Sequence, residues 1–221
     1  RQLFCLNTER MNNMKTVITI GRQFGSGGHD IGKLVAEKLG YAFYDKKLVE
    51  IAAKNSNISD ETVKHIDEKA TSSLLYSLVS GSYSIRGMNG PLYYEMPLND
   101  KLFIAQSDVI KSVAAQEDCV IVGRCADYVL DDAEDVQVIN VFIYSPLENR
   151  INRITNLYDL NEKQAKDKIL KSDKQRKTYY SYYSNRDWGR MSNYDICINS
   201  GKIGVEESAD MIVNFIKGLS K

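Results

Sequence analysis

The sequence predicts a three-layer α/β domain around a five-stranded parallel sheet. Three observations lead there. A β-rich run, Val17-Ile18-Thr19-Ile20, flows through a glycine-rich turn into an amphipathic helical stretch and a second short strand. Cys119-Val120-Ile121-Val122-Gly123 is continuously apolar, as a parallel strand covered on both faces is. Helical patterns separate the remaining strand candidates, the alternation from which parallel sheets are built.

The elements follow in order. Residues 1–13 show no apolar periodicity, no signal-peptide stretch and no cleavage pattern. They are expected to be disordered or a start-site artefact and are left out of the fold, which runs over 14–221. After the glycine turn, Ile31, Leu34, Val35 and Lys38 share one helical face with Leu39 beside it, and Gly40 ends the helix. Tyr41-Ala42-Phe43-Tyr44 reads as the second strand, leading to Asp45. A helical stretch is expected over 47–79, with Ser59 and Thr62 as a weak cap. Gly81, Gly87, Gly90, Pro91 and Pro97 interrupt a Tyr- and Ser-rich run over 80–97, which predicts a loop or small hairpin. The helical pattern resumes over 102–116, with Leu102, Ile104, Ala105, Val109, Ile110 and Val113 as the expected buried set. A further strand is read over 136–144, ending at Ser145-Pro146. One charged helical region covers 147–187. A last strand over 194–199 precedes a terminal amphipathic helix over 205–219.

Composition narrows the function. The 221 residues carry 29 basic and 29 acidic side chains, a net charge of +0, which argues against a nucleic-acid coat or a polybasic membrane surface. No apolar run approaches the roughly 20 residues that span a bilayer. Cys5, Cys119, Cys125 and Cys197 form no CxxC pair, and only His29 and His65 are available as imidazoles, so a disulfide framework or a zinc site fits poorly. A reduced, cytoplasmic protein is the expectation.

The glycine-rich turn, Gly21-Arg22-Gln23-Phe24-Gly25-Ser26-Gly27-Gly28, suits a phosphate cradle. Its glycines let backbone N–H groups converge on an anion, and the following helix adds its positive end. The bland alternative is a tight strand-to-helix connection. Against the pattern G-x-x-x-x-G-K-[ST], taking Gly27 as the second glycine puts Arg22 at the first, Gly28 at the lysine and His29 at the Ser/Thr. The phosphate charge the lysine would meet falls to another cation: Arg22, Lys33 or the arginines of 147–187. Arg22 is the first choice because it flanks the loop.

Four separated motifs resemble the cytidylate-kinase-like family of P-loop proteins. They are the glycine loop with its strand, Phe43-Tyr44-Asp45-Lys46-Lys47-Leu48, Val120-Ile121-Val122-Gly123-Arg124-Cys125-Ala126-Asp127-Tyr128, and Asp187-Trp188-Gly189 with Asn193-Tyr194-Asp195. The resemblance runs from about residue 15 to 217. It implies a P-loop NTPase fold with a helical acceptor-site insertion over about 47–115 and a lid over about 147–190. It implies ATP and Mg²⁺, phosphoryl transfer to a CMP- or dCMP-like acceptor, and small-molecule nucleotides as partners, with neither nucleic acid nor membrane.

On the glycine-loop reading, nucleotide phosphates would lie on Gly25, Ser26, Gly27, Gly28 and His29. By the resemblance, Asp45, Arg124, Asp127, Asp173 and Arg176 would serve the acceptor, and Arg124, Arg150 and Arg153 would carry catalytic charge together with the Arg22 chosen above. Phosphoryl transfer needs alignment and cations about the equatorial oxygens, and arginine's planar fork supplies both. Asp45 or Asp127 could hold magnesium through water, though no metal ligand is assigned. Departures stand at Lys46 and Ile51, where true cytidylate kinases place a Ser and an Arg, and at Asp127, two residues later than their pattern. On the bland reading Arg150, Arg153 and Arg176 form a solvated helical face, Tyr179, Tyr180, Tyr182 and Tyr183 pack helices, His29 is a loop residue and Trp188 is a packing anchor. Two other functions stay open: a nucleotide-binding sensor with little or no kinase activity, and a kinase for a non-nucleotide small molecule.

Overall fold

The structure, a computed structural model, describes residues 14–45, Leu48 and 97–219. The expected helix over 47–79 and loop over 80–97, Leu48 and Pro97 apart, lie outside the described residues, as do residues 1–13. The chain divides into two compact units, Arg1–Asp45 with Ile110–Lys221, and Lys46–Val109.

In the first unit, β1 (Lys15–Arg22) leads into α1 (Gly28–Leu39) and β2 (Ala42–Tyr44). Then come the end of α2 (Leu98–Gln116), β3 (Cys119–Val122), the short α3 (Ala126–Val129) and β4 (Val136–Tyr144). The chain finishes with α4 (Leu147–Tyr158), α5 (Glu162–Ser184), a 3-10 turn (Met191–Asn193), β5 (Ile196–Asn199), α6 (Ser200–Ile203) and α7 (Val205–Leu219). The sheet is five-stranded and wholly parallel in the order β2-β3-β1-β4-β5. Of the second unit, the first part of α2 is described. Within it the Ser107 hydroxyl donates to the Phe103 carbonyl at 2.8 Å.

Alternation along β1 explains the layers. Ile18 and Ile20 point into one apolar cluster with Ile31 and Val35 of α1 and Ile212, Val213 and Ile216 of α7. Val17 and Thr19, on the opposite face, are just as fully buried, so the strand is covered on both sides. Gly32 lets α1 settle on the sheet: a Cβ there would lie 3.0 Å from both Ile20 Cδ1 and Val122 Cγ2. At the other edge of β1, Phe142 meets Trp188 edge-on at 5.5 Å and Tyr194 at 4.8 Å. Trp188 is thus the packing anchor expected.

Several boundaries differ from the sequence reading. The first helix starts at Gly28 and includes His29, which is therefore a helix residue rather than a loop residue. In α2 the buried set takes in Phe103, Gln106 and Ala114, while Ile104 and Val113 are half-buried. The single helical region over 147–187 is two helices. Asp159 stops α4 in the left-handed conformation (φ 50°). Asn161 then restarts the chain with a capping box: its side chain accepts from Gln164 N at 2.9 Å, and Gln164 Oε1 accepts from Asn161 N at 3.1 Å. The Asn-x-x-Gln spacing that announces this start is in the sequence.

Candidate active site: a glycine loop ringed by arginines

Strand order decides where a ligand would sit. From β1 the chain crosses towards β2, and from β3 it crosses the other way to β4, so the sheet's switch point lies between β1 and β3. The glycine loop follows β1 and the Gly123-Arg124 turn follows β3. Gly123 N donates to Ile20 O at 3.0 Å, which ties the two together.

The loop's carbonyls are turned into the protein. Gln23 O accepts from Ser26 N and Ser26 Oγ at 3.3 and 2.9 Å, Ser26 O accepts from Ser200 Oγ at 2.6 Å, and Arg22 O accepts from Arg176 Nη1 at 3.0 Å. Gln23 clips the loop to β4, its N–H on Ile143 O at 3.0 Å and its Oε1 taking Ser145 N at 3.1 Å. Gly25 and Gly27 are left-handed, with φ 81° and 79°, a conformation that favours glycine. Because α1 begins at Gly28, the N–H groups of Gly28, His29 and Asp30 have no partner within the helix, the arrangement that receives phosphate oxygens.

Helices α4 and α5 hold the loop from outside. Phe24 packs on Ile154, Ala165 and Ile169, and the Arg176 guanidinium lies 5.4 Å from its ring centre. Asp173 bridges backbone and side chain: Oδ1 accepts from Phe24 N at 2.7 Å and Oδ2 from Arg150 Nη1 at 2.5 Å. Arg150, only 7% exposed, has no partner for its Nε among the described residues. Its Cβ sits against Gly25, and the Arg153 guanidinium sits against Gly27. Arg153 also pairs with Asp30. The solvated face of the bland alternative is not what Arg150 and Arg176 form, and Arg153 stays partly exposed. Arg150 is buried and Arg176 half-buried, both against the phosphate loop.

The β3 side carries strain. Gly123, Arg124 and Cys125 are successively left-handed at φ 79°, 63° and 53°, costing about 1–2 kcal/mol at each non-glycine residue. Burial pushes the Arg176 guanidinium's pKa down, Asp173 opposes this, and the neighbouring Arg124 charge adds to the lowering. Arg22, Arg124 and Arg176 thus gather at the switch point.

The remaining candidates fall into two places. His29 Nε2 meets Asp45 Oδ2 at 2.9 Å and its Nδ1 meets Asp30 Oδ1 at 3.2 Å, with Phe43 against the ring. Asp45 therefore stands beside the loop through His29. Asp127 does not stand in the open. It is 7% exposed and accepts the Tyr180 hydroxyl at 2.6 Å, and burial, partly offset by that bond, raises its pKa. A carboxylate buried on a tyrosine is poorly disposed to hold magnesium. Among the tyrosines, Tyr180 is structural, and Tyr179 and Tyr182 meet Tyr183 edge-on, each at 4.8 Å. Gln23, Phe24, Asp30 and Ser200 were missed in the sequence. Phe24 alone carried a signal, as a large apolar residue inside a glycine loop.

The model of the cytidylate kinase-like family matches residues 17–202. The chain belongs to that family. None of the curated proteins compared matches it significantly. Among solved structures, an uncharacterized protein from Eubacterium ventriosum is 29% identical with a TM-score of 0.67, covering 92% of this chain and 99% of that one. Two shikimate kinases share the fold at 15% identity. The Acinetobacter baumannii enzyme, solved with shikimate, has a TM-score of 0.50 over 96% of this chain and 98% of that one. The enzyme from Bacteroides thetaiotaomicron has 0.51 over 91% and 98%. The likeness to these two enzymes is one of fold, an α/β core around a parallel sheet. No helix among the described residues is long and apolar enough to cross a membrane.

Proposed function

We propose that this chain transfers a phosphoryl group from ATP to a small-molecule acceptor, a nucleoside monophosphate of the CMP or dCMP kind. The observation that carries the reading is the pairing of the two loops at the switch point: glycines and Arg22 after β1, Gly123 and Arg124 after β3. The loop and the first turn of α1 receive the donor phosphates, and Arg150 and Arg153 meet them from the helical side. The buried, unsatisfied Nε of Arg150 supports this, since a phosphate oxygen would relieve it. Arg124 and Arg176 hold the acceptor phosphate, and the cationic ring lowers the cost of bringing two phosphate groups together.

Magnesium fits the residues beside the loop. Asp30 and Asp45 both reach His29, and the ion takes one or two carboxylates together with phosphate oxygens and water. Bound there, it would draw charge from the phosphates.

A weakly catalytic nucleotide sensor is the second reading. It is favoured by Gly28 and His29 where lysine and Ser/Thr would be, and by the Asp173 carboxylate already holding a loop N–H. ATP consumption against a panel of nucleoside monophosphates and small alcohols separates the two. Acceptor-dependent turnover that falls about 100-fold in Arg124→Ala supports the kinase. ATP binding with no turnover on any acceptor supports the sensor.

A further inference from the structure

We infer that Arg22 takes the place of the phosphate-loop lysine, and that Gly28 is a glycine because the stem of Arg22 fills the space beside it. The inference rests on the nucleotide reading above and names the residue that gives it charge.

Gly28 is the first residue of α1 and has no left-handed backbone to account for it. Space accounts for it instead. A Cβ at Gly28 would lie 2.6 Å from Arg22 Cβ, 3.1 Å from Arg22 Cγ and 3.3 Å from Ile143 Cβ. These are stem atoms of Arg22, placed by the β1 backbone, so no rotation at the far end of the side chain relieves the overlap. A side chain at 28 and the one at 22 claim the same volume. The loop can carry its cation from one position or the other, and here the strand carries it.

At its other end Arg22 reaches the turn after β3. A Cβ at Gly123 would collide with Arg22 Nη1 and stand 2.9 Å from Cζ and 3.3 Å from Nη2. The guanidinium therefore lies against bare backbone at the mouth of the switch point, next to Arg124 and within the ring that faces the loop. The missing lysine and the arginine at the first glycine position form one steric unit, and Gly123, whose left-handed φ of 79° itself favours glycine, leaves the guanidinium room.

The test is a swap read by calorimetric binding of a non-hydrolysable ATP analogue, with a thermal melt of each variant. Arg22→Gly should weaken binding about 10- to 100-fold, as expected for losing a charged hydrogen bond to phosphate. Gly28→Lys alone should weaken it also, because the new stem displaces Arg22. The double variant R22G/G28K should recover most of the wild-type affinity. Gly28→Ala should be costly beside Arg22 and harmless in the Arg22→Gly background, the non-additivity of two residues sharing one space. Arg22→Gln, which keeps the stem without the charge, should stay folded and bind as poorly as Arg22→Gly, so the test stands even where the glycine variant melts.

Arg22→Gln binding as well as wild type would overturn the inference, as would single and double lysine variants of equal affinity. A wild-type protein that binds no ATP analogue would overturn the site reading itself, a different failure from the first two.

Discussion

The sheet and the α4–α5 hairpin are held together by different physics. Around β1, fifteen fully or nearly buried apolar residues from four strands and two helices form one cluster, and hydrophobic burial of that kind is non-directional and indifferent to charge. The hairpin has three such residues, Ile154, Ala165 and Ile169. It is tied to the glycine loop mainly by Asp173, Arg150, Arg153 and Arg176 and started by the Asn161 cap. A scaffold of the first kind stays put when a polyanion arrives. A cover of the second kind is made of the charges a polyanion competes for. The difference leaves a sheet set by apolar burial beside two helices tied to the glycine loop mainly by charge.

Changing one residue on each side tests this contrast. The largest effect is expected for Ile20→Ala, which empties space in the core: about 3–4 kcal/mol off the whole domain, seen as a lower denaturant midpoint. Asp173→Ala should cost about 2–3 kcal/mol, but locally. It strands the buried Arg150 and the Phe24 N–H, so hydrogen exchange should rise at Phe24 and along α4–α5 while the sheet amides hold. Equal loosening of sheet and hairpin would erase the distinction. Asn161→Ala should remove about 1 kcal/mol by uncapping α5, again as faster exchange in its first turn.

Asp127→Asn sharpens the contrast through pH. Burial raises the carboxyl's pKa in the fold, so the wild type is most favoured while Asp127 is protonated and loses that favour as pH rises through the folded value. The amide keeps an acceptor for Tyr180 without the charge. Melting temperature should therefore gain at neutral pH and show no gain below the ordinary carboxylate range; a loss at neutral pH would contradict the assignment. The smallest effect is expected for Asp131→Ala, which breaks a solvent-facing pair with Arg186: under about 0.5 kcal/mol by chemical denaturation.

Much of the fold was legible. Val136–Tyr144 and Val205–Leu219 form where strand and helix were expected, because apolar periodicity reports local burial directly. The split of 147–187 into two helices was hidden by its charge, since a polar run blurs the phase, although Asn161 and Gln164 marked the restart. In the site, the glycines and the resemblance pointed to Arg22, Arg124, Arg150, Arg153 and Arg176. The structure brings all five to the two loops. Asp173 was expected at an acceptor and is found on a loop amide. Asp127 was expected in contact with ligand or metal and is found on Tyr180. A carboxylate's partner lies many residues away in the chain, and no local pattern records it.

By itself the sequence determined the layered parallel architecture, the place of the phosphate loop and its want of a lysine. These depend on neighbours within a few residues and on hydrophobic periodicity. Only the tertiary structure decided why that lysine is absent. A side chain at position 28 and the stem of Arg22 would claim the same space, and the Arg22 guanidinium reaches Gly123, about a hundred residues further on. Steric exclusion acts between atoms brought close by the sheet, and spacing along the chain carries no trace of it.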